Sequence, residues 1–597
     1  MKDYNADKLP ELNVSIEIPP SLSYLVDSKG WFYEPLRQQL TKGLVSLLET
    51  LGIPGDPKFV ITASDGDGFV PARFLRVTVN GEICRYPDEL LPRIYAYVNA
   101  AHADPRKRPS RILNWLKQTP EISAERQAVL IDFFTNGCLE IIKRRPSVLL
   151  GQTQLSFYLE SLYSQNDEAD LNLYSMRPET NWALSVLRRV LDLKISIADK
   201  RLVAKWIVDG VTKEKLPEEV AEKLIAAMRQ DVIEIQVPED YLRKVTSTNQ
   251  SSDYKEFASI REDLFNELGV TYPIFRFVRT EDVRAYCFRF KINHLTTLPR
   301  VGLSESQFVV EDGPANSNSL NIDGRIFLGG DNYSIVGPID RAKATAAGLT
   351  TWNQIGYIAL TLYACLKANS ECFINTEFVV SQLANLSVEF PTLVETCKAM
   401  IPVERLTPAI RRLVDEGISI RNLKSIVERV LDYNHFMIDS PNVALLNDAV
   451  PVCRRAAYPE APDDESIAAF IRMGMSLYID QRYFKVPSRV RTIQVDPQIE
   501  SLICKHQYLD DETSGYEQTD RETRERILEV LHSLLDHQRS ENIVAVLLCS
   551  TNVRSAIRTI VAQEFPRLPV LSYDEIPGNL SLDQTDKISP AARALNA

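Results

Sequence analysis

The sequence predicts a multidomain α+β to α/β fold: two tandem copies of a small α/β subdomain with helical subdomains, ending in an α/β subdomain with a βαβ unit. Three observations predict it. First, Val186–Ile197 reads onto Ala409–Ile420, keeping the Arg-Arg pair, the Asp and the Ile-Ser-Ile. Leu75–Asn80 likewise reads onto Phe288–Asn293, and Glu17–Pro20 onto Gln236–Glu239. These anchors keep their order at a separation of roughly 210 to 225 positions, too long for a solenoid repeat and suited to a duplicated set of domains. Second, the apolar pattern switches along each copy from a period of two to spacings of three and four. Third, the end of the chain reads as strand, crossover helix and strand, which implies a parallel pair.

The elements follow in order. Residues 1–15 are polar and read as a loose terminus. The first α/β subdomain, 16–90, takes a helix over 35–51 and strands over 58–61 and 74–79. Between those strands, Ser64–Gly68 clusters carboxylates and glycines but lacks the closing Glu of a calcium loop, so a hairpin turn is expected. The first helical subdomains, 91–230, show helical spacing over 90–98, 128–142 and 184–208, with Pro146 and Pro178 as breaks. The second α/β subdomain, 231–350, repeats the plan with a helix over 257–268 and strands over 274–278 and 286–292; the segments at Gly330 and Gly337 read as turns.

The second helical subdomains, 351–440, have helices over 379–386, 393–400, 408–416 and 421–432. Gly417 stands at a helix C-cap and Ser419 offers a cap to the next helix. Lys194 holds the equivalent place in the first copy, where positive φ is costlier, so a differently built corner is expected there. The C-terminal subdomain, 441–577, has helices over 465–478 and 519–537, a strand over 543–548, a helix over 553–563 capped from Ser550–Asn552, and a strand over 569–572. Residues 578–597 read as a polar tail.

Bulk composition narrows the function. The 597 residues suffice for about four domains, and 45% hydrophobic with 25% charged is ordinary for globular chains. A net charge of −12 argues against a nucleic-acid surface. The basic clusters at 106–111 and 143–145 read as solvated helix ends. Nine cysteines without a Cys-x-x-Cys pair predict no zinc site; their odd number and a polar amino terminus point to buried free thiols in the cytoplasm. The longest weakly polar run, Ile355–Leu366, is too short to cross a bilayer as a helix.

Catalytic chemistry is not expected. No phosphate loop, nucleophile elbow or His-Glu-x-x-His helix is present. The six histidines are dispersed, with His532 and His537 read as solvated. The acidic pairs Asp463-Asp464 and Asp510-Asp511 read as loop residues screened by water. No cofactor and no metal are predicted.

Leu568–Pro577 resembles the terminal signature of FHIPEP, the export-gate family of flagellar and type III secretion systems, and follows a helix led by Ser550–Arg554 as in that family. Glu389–Val394 through Gly417–Leu423 resembles a second family segment. Glu267–Gly269 with Pro273 is a looser third match, and together they span about 260 to 577. The resemblance implies four packed soluble subdomains that form a nonameric ring and dock export chaperones, substrates and other apparatus components. It assigns structure and assembly, not catalysis, to Gly417, Ile418, Ser419, Ile420, Arg421, Leu423, Pro569, Leu571, Ser572, Tyr573, Glu575, Ile576 and Pro577. Within the last motif, Tyr573 is expected to pack and Glu575 to hold a local hydrogen bond. Duplicated sequence stands where the family carries its membrane region, so a docking or scaffolding role is expected instead of a channel. A location on the cytoplasmic side of the inner-membrane secretion apparatus follows, with protein partners and a ring of one or mixed chains.

Overall fold

Strict alternation places Leu12, Val14, Ile16 and Ile18 on one face of β1 (Glu11–Ile18), all buried. The helix Tyr33–Leu51 answers with Leu36, Leu40, Leu44, Leu47, Leu48 and Leu51, a stripe at spacings of three and four that covers this face. A computed structural model of the chain describes residues 9–27, 31–63, 75–87, 90–102, 124–164, 178–228, 232–247, 253–311, 322–328, 331–439, 464–484, 490–508, 514–536, 544–576 and 585–589. They fall into two compact units, Met1–Asn375 and Thr376–Ala597.

In the first unit, β1 pairs in parallel with β2 (Asp56–Ala63) and antiparallel with β3 (Arg76–Val79), which pairs with β4 (Glu82–Cys84). The order β2-β1-β3-β4 puts β2 and β3 on opposite sides of β1. The hairpin expected at Ser64–Gly68 is therefore not formed by these strands; the segment itself lies outside the described residues.

A second sheet repeats the order, β6-β5-β7-β8, from β5 (Val232–Val237), β6 (Ile274–Arg279), β7 (Cys287–Ile292) and β8 (Leu295–Thr296), with β9 (Arg300–Val301) also on β7. The register repeats too. Ile16 faces Val77 and Glu17 faces Arg76 in the first sheet; Ile235 faces Phe290 and Gln236 faces Arg289 in the second. Asn80 and Asn293 open the following turns at φ 50° and 53°, a conformation Asn tolerates better than most residues.

A third, antiparallel sheet follows in the order β11-β12-β10-β13, from β10 (Phe308–Glu311), β11 (Ile322–Leu328), β12 (Asp331–Val336) and β13 (Thr351–Trp352), the last of these just past the boundary expected at 350. The turn expected after Gly330 is thus strand β12. Gly337 is the N-cap of the helix Pro338–Ala346, because Pro338 suits a first helical position.

The helix read over 184–208 is two helices, Thr180–Asp192 and Lys200–Thr212, joined by a corner. Lys194 takes the left-handed conformation there (φ 62°), as Gly417 does in the second unit (φ 73°). The hydrogen bonds also match. Lys194 and Ile195 donate to Leu191 and Val190 carbonyls at 2.8 and 3.3 Å, and Gly417 and Ile418 to Val414 and Leu413 at 2.9 and 2.7 Å. The two corners are built alike, contrary to expectation; an amine bond from Lys194 to Asn369 Oδ1 helps hold the costlier conformation.

In the second unit, β14 (Val490–Val495), β15 (Val544–Cys549), β16 (Val570–Ser572) and β17 (Thr585–Ile588) form an all-parallel sheet in the order β16-β15-β14-β17. The expected βαβ unit is present, with the helix Thr551–Ala562 as crossover from β15 to β16. Residues 585–588, read as part of a polar tail, supply the fourth strand, since Ile588 fills the core beside Ile493 and Ile527. The helix read over 465–478 breaks at Gly474 into Asp464–Met473 and Ser476–Tyr483.

The corner at 193–199 also docks the end of the helix Tyr33–Leu51, where the Ile197 amide donates to the Leu51 carbonyl at 2.8 Å. Gly52 caps that helix at φ 75°, and a Cβ there would lie 2.4 Å from the Ala198 Cα. Gly81 has φ 84° and open space around it. Gly52→Ala is expected to cost about 2–5 kcal/mol by combining backbone strain with overpacking, and Gly81→Ala only about 1–2 kcal/mol. Urea unfolding midpoints of the two variants check this; equal losses would refute the docking role of Gly52.

Candidate functional site

Arg472 is the largest almost wholly buried side chain among the described residues, at 2% exposure. It sits on the helix Asp464–Met473, one position after Ile471, on a helix otherwise buried through Ile467, Ala468 and Ala469. Its guanidinium grips Glu575 with two bonds, Nε to Oε1 at 2.7 Å and Nη2 to Oε2 at 3.2 Å. Nη1 lies 2.9 Å from Glu416 Oε2. Glu575 belongs to the terminal motif, and Glu416 immediately precedes Gly417. The two sequence motifs are therefore joined through one buried arginine.

A second arginine doubles the link. Arg554, on the helix after β15, donates from Nη1 to Glu416 Oε2 at 2.6 Å, and its Nε lies 3.9 Å from Glu575 Oε1. Arg558 on the same helix donates to the carbonyls of Leu568 and Pro566 at 3.1 and 3.0 Å, clamping the approach to β16. Arg412, one turn before Glu416, donates to Asp464 Oδ2 at 3.0 Å. Asp464 is buried, so it is a structural ion-pair partner and not the water-screened loop residue expected; Asp463, Asp510 and Asp511 lie outside the described residues.

The electrostatics follow from burial against pairing. Burial alone would raise the Glu416 carboxyl, but Arg472, Arg554 and Arg558 outweigh it and hold the group down at about 2. Burial would likewise disfavour the Arg472 cation, and Glu416 and Glu575 reverse that, pushing it above the ordinary arginine range. Every charge at this site is thus committed to a protein partner. Such an arrangement holds elements together and leaves no poised acid, base or nucleophile.

The motif residues divide around it. Gly417 turns the chain, and Ile418 and Ile420 are buried. Ser419 does not cap the next helix: its amide donates to Tyr478 Oη at 3.3 Å and its hydroxyl accepts from the Arg421 amide at 3.4 Å. Asn422 Oδ1 caps instead, accepting from the Ser425 amide at 3.2 Å, ahead of a helix that begins at Leu423; Arg421 is exposed. Pro569 offers its carbonyl to the Leu547 amide at 2.9 Å, and Leu571 is buried in β16. The Ser572 amide donates to Glu575 Oε2 at 3.0 Å, the local bond expected of Glu575.

Three expectations are corrected. Tyr573 is 44% exposed and does not pack as a core residue; the turn Tyr573–Glu575 directs Glu575 inward in its place. Ser550 stands at the N-cap of its helix, but its hydroxyl donates to Glu500, whose other oxygen accepts the Ser550 amide at 2.8 Å. His532 is buried, not solvated, with Nε2 2.7 Å from Glu564 Oε2; His537 lies outside the described residues. Ile576 is half-buried, and Pro577 is also outside the described residues.

Sequence reading singles out neither Arg472 nor Glu416 as a site residue, and it takes Asp464 for a screened loop residue. The available signal was a single arginine on the apolar stripe Ile467, Ile471, Met475, where an unpaired charge would be prohibitive. Among the described residues, no group of His, Cys, Asp and Glu is arranged to hold a metal, Cys84, Cys138, Cys287, Cys365, Cys372, Cys397 and Cys549 are free thiols, and no helix is long and apolar enough to cross a membrane.

Glu575→Leu is expected to cost about 3–5 kcal/mol, because it removes the two-bond partner of a buried cation and leaves Glu416 to serve both Arg472 and Arg554, whereas Glu575→Leu with Arg472→Met should cost less than the sum of the single changes. A double-mutant cycle from urea unfolding measures this, and strict additivity would show that the pair is not coupled. Glu416, lowered from 4.5 to about 2 in the folded state, stabilises above the unfolded value and loses that contribution as pH falls through the folded one. The stability gap between the unmodified chain and Glu416→Gln should therefore narrow by about 3 kcal/mol between about pH 6 and about pH 2. A gap independent of pH would contradict the assignment.

The comparisons with known proteins agree with the motifs. InvA, an invasion protein of Salmonella typhimurium, is 25% identical over 240 residues, covering 38% of this chain and 31% of its own length. The flagellar biosynthesis protein FlhA of Bacillus subtilis is 21% identical over 340 residues, covering 57% of this chain and 46% of its own. The chain thus spans less than half the length of these relatives. Among solved structures, CdsV of Chlamydia pneumoniae is similar with 20% identity and a TM-score of 0.46, over 60% of this chain and 96% of that one. The FHIPEP family pattern matches residues 211–581, more than half of the 597-residue chain. The chain belongs to the FHIPEP family.

Proposed function

We propose that this chain is a non-enzymatic docking component of a type III or flagellar export apparatus, receiving chaperones or export substrates on the cytoplasmic side of the membrane. The observation that carries this reading is the family match over 211–581, which includes both motifs and the arginine-centred site that joins them. The chemistry of that site supports it: ion pairs committed to one another fix a rigid block, which suits a surface that must present constant geometry to partners. No cofactor enters this function.

A second reading is a scaffold or regulator that assembles with a membrane export gate. It is favoured by the two sheets of equal strand order and register and by the two matching corners, which support a duplication of 16–230 and 231–440 followed by the C-terminal subdomain. A chain with two related faces could join a ring at two positions, because head-to-tail interfaces close when the rotation permits.

Size-exclusion chromatography with light scattering, over a concentration series and with the cytoplasmic region of the same organism's membrane gate, tests both readings. Mixed or ring-sized assemblies are expected. Docking also requires that the chain retain a secretion chaperone, substrate or apparatus protein from native lysate; a persistent monomer that captures none of these would overturn the proposal.

A further inference from the structure

The two matching sheets differ in how they treat their open edges. Among the described residues, one outer strand of each pairs only with the first strand of its sheet: β2 with β1, and β6 with β5. A free strand edge offers a row of backbone donors and acceptors to any extended chain, and proteins usually blunt it with proline or lysine. The edge of β2 is blunted by Pro57, which has no amide hydrogen, and by Lys58, paired with Asp56 at 2.7 Å. β6, Ile274-Phe-Arg-Phe-Val-Arg279, carries neither residue; Ile274 is 61% and Phe277 37% exposed.

The strand is nonetheless held firmly. Phe275 and Phe277 stand edge-on to Phe257 of the helix Asp253–Leu268, with ring centroids 6.3 and 5.5 Å away. Full parallel register with β5, from Val232 on Ile274 to Val237 on Arg279, keeps the backbone extended. The edge is therefore preorganised for an incoming strand.

Charge decides which strand fits. β6 contains two arginines and no acid. Arg276 lies beside Glu234 in register, but Glu234 already accepts from Lys291 at 3.2 Å and Gln236 at 2.8 Å, and the Arg276 guanidinium is exposed without an ion pair to any described residue. Arg279 reaches Glu239 only at 3.4 Å across an exposed surface. A second copy of β6 would bring four arginines and no acid onto adjacent strands, which like-charge repulsion disfavours. Arg276 and Phe277 stand on opposite faces of β6, so an extended segment alternating apolar and acidic residues would complete the ladder with its acids beside Arg276 and its apolar side chains beside Phe277.

We propose that the edge of β6 is a strand-addition site for an extended acidic–apolar segment of a partner protein. This rests on the edge alone and does not depend on the export reading above. Fluorescence anisotropy with the full chain tests it, using a short labelled peptide in which Val and Glu alternate, its Val–Lys counterpart, and the Val–Glu peptide N-methylated at every residue, which removes the donors of both strand edges.

Saturable binding of the Val–Glu peptide is expected, weakened about fivefold or more in the Val–Lys version and by Arg276→Glu, and abolished by N-methylation. Arg276→Glu changes an exposed side chain, so the fold is expected to survive, and circular dichroism confirms it. Absence of saturable binding, binding indifferent to Arg276→Glu or to N-methylation, or equal binding of both peptides would overturn the proposal. A concentration-dependent dimer abolished by Phe277→Lys would assign the edge to a second copy and overturn it as well.

Discussion

The ion pair between Arg472 and Glu575, both almost without solvent exposure, is the constraint on which the second unit depends. Taking two charges out of water costs several kcal/mol per ion unless the geometry compensates. Here the compensation draws in three further segments: Glu416 from the end of one helix, Arg554 from the crossover helix, and the Ser572 amide from β16. A shift of any of these takes a partner from a buried charge. The site therefore sets where the corner at Gly417 and the end of β16 stand relative to each other, a role that apolar packing, being non-directional, would fill less specifically.

The first unit uses a different joint to the same end. The corner at Lys194 meets the turn between β7 and β8: Asn293 Nδ2 donates to the Leu193 carbonyl at 2.7 Å, and the His294 amide donates to the Lys194 carbonyl at 3.0 Å. The Ser196 amide donates to His294 Nδ1 at 3.2 Å, as the Ser419 amide does to Tyr478 Oη at 3.3 Å. At both corners the serine amide, which the turn leaves outside any helix, is satisfied by a ring from the next part of the chain. Burial pushes the His294 imidazole down, which favours the neutral form that this acceptor role requires.

Much of the fold was legible in the sequence because periodicity reports burial directly. The alternation of β1, the leucine stripe of the helix Tyr33–Leu51 and the βαβ run each bury the face their spacing announces. The misreadings share a cause. Composition reads Asp331–Tyr333 and Gly337 as turns and joins β2 to β3 as a hairpin, yet composition does not say which strands pair. Residues 585–588 are short and polar, and only the neighbouring β14 makes a strand of them. At Lys194 residue preference pointed away from a left-handed turn, and tertiary bonds decided otherwise.

The sequence by itself determined the class of fold, the family and the two motifs, because those are carried by residue types at fixed local spacing. Only the tertiary structure decided what the motifs do. Glu575 and Arg472 stand 103 residues apart, and no local pattern links them. The same holds for Asp464 with Arg412 and His532 with Glu564. A charged residue looks like a surface residue until its partner is known, and long-range pairing through packed elements is what makes these charges internal.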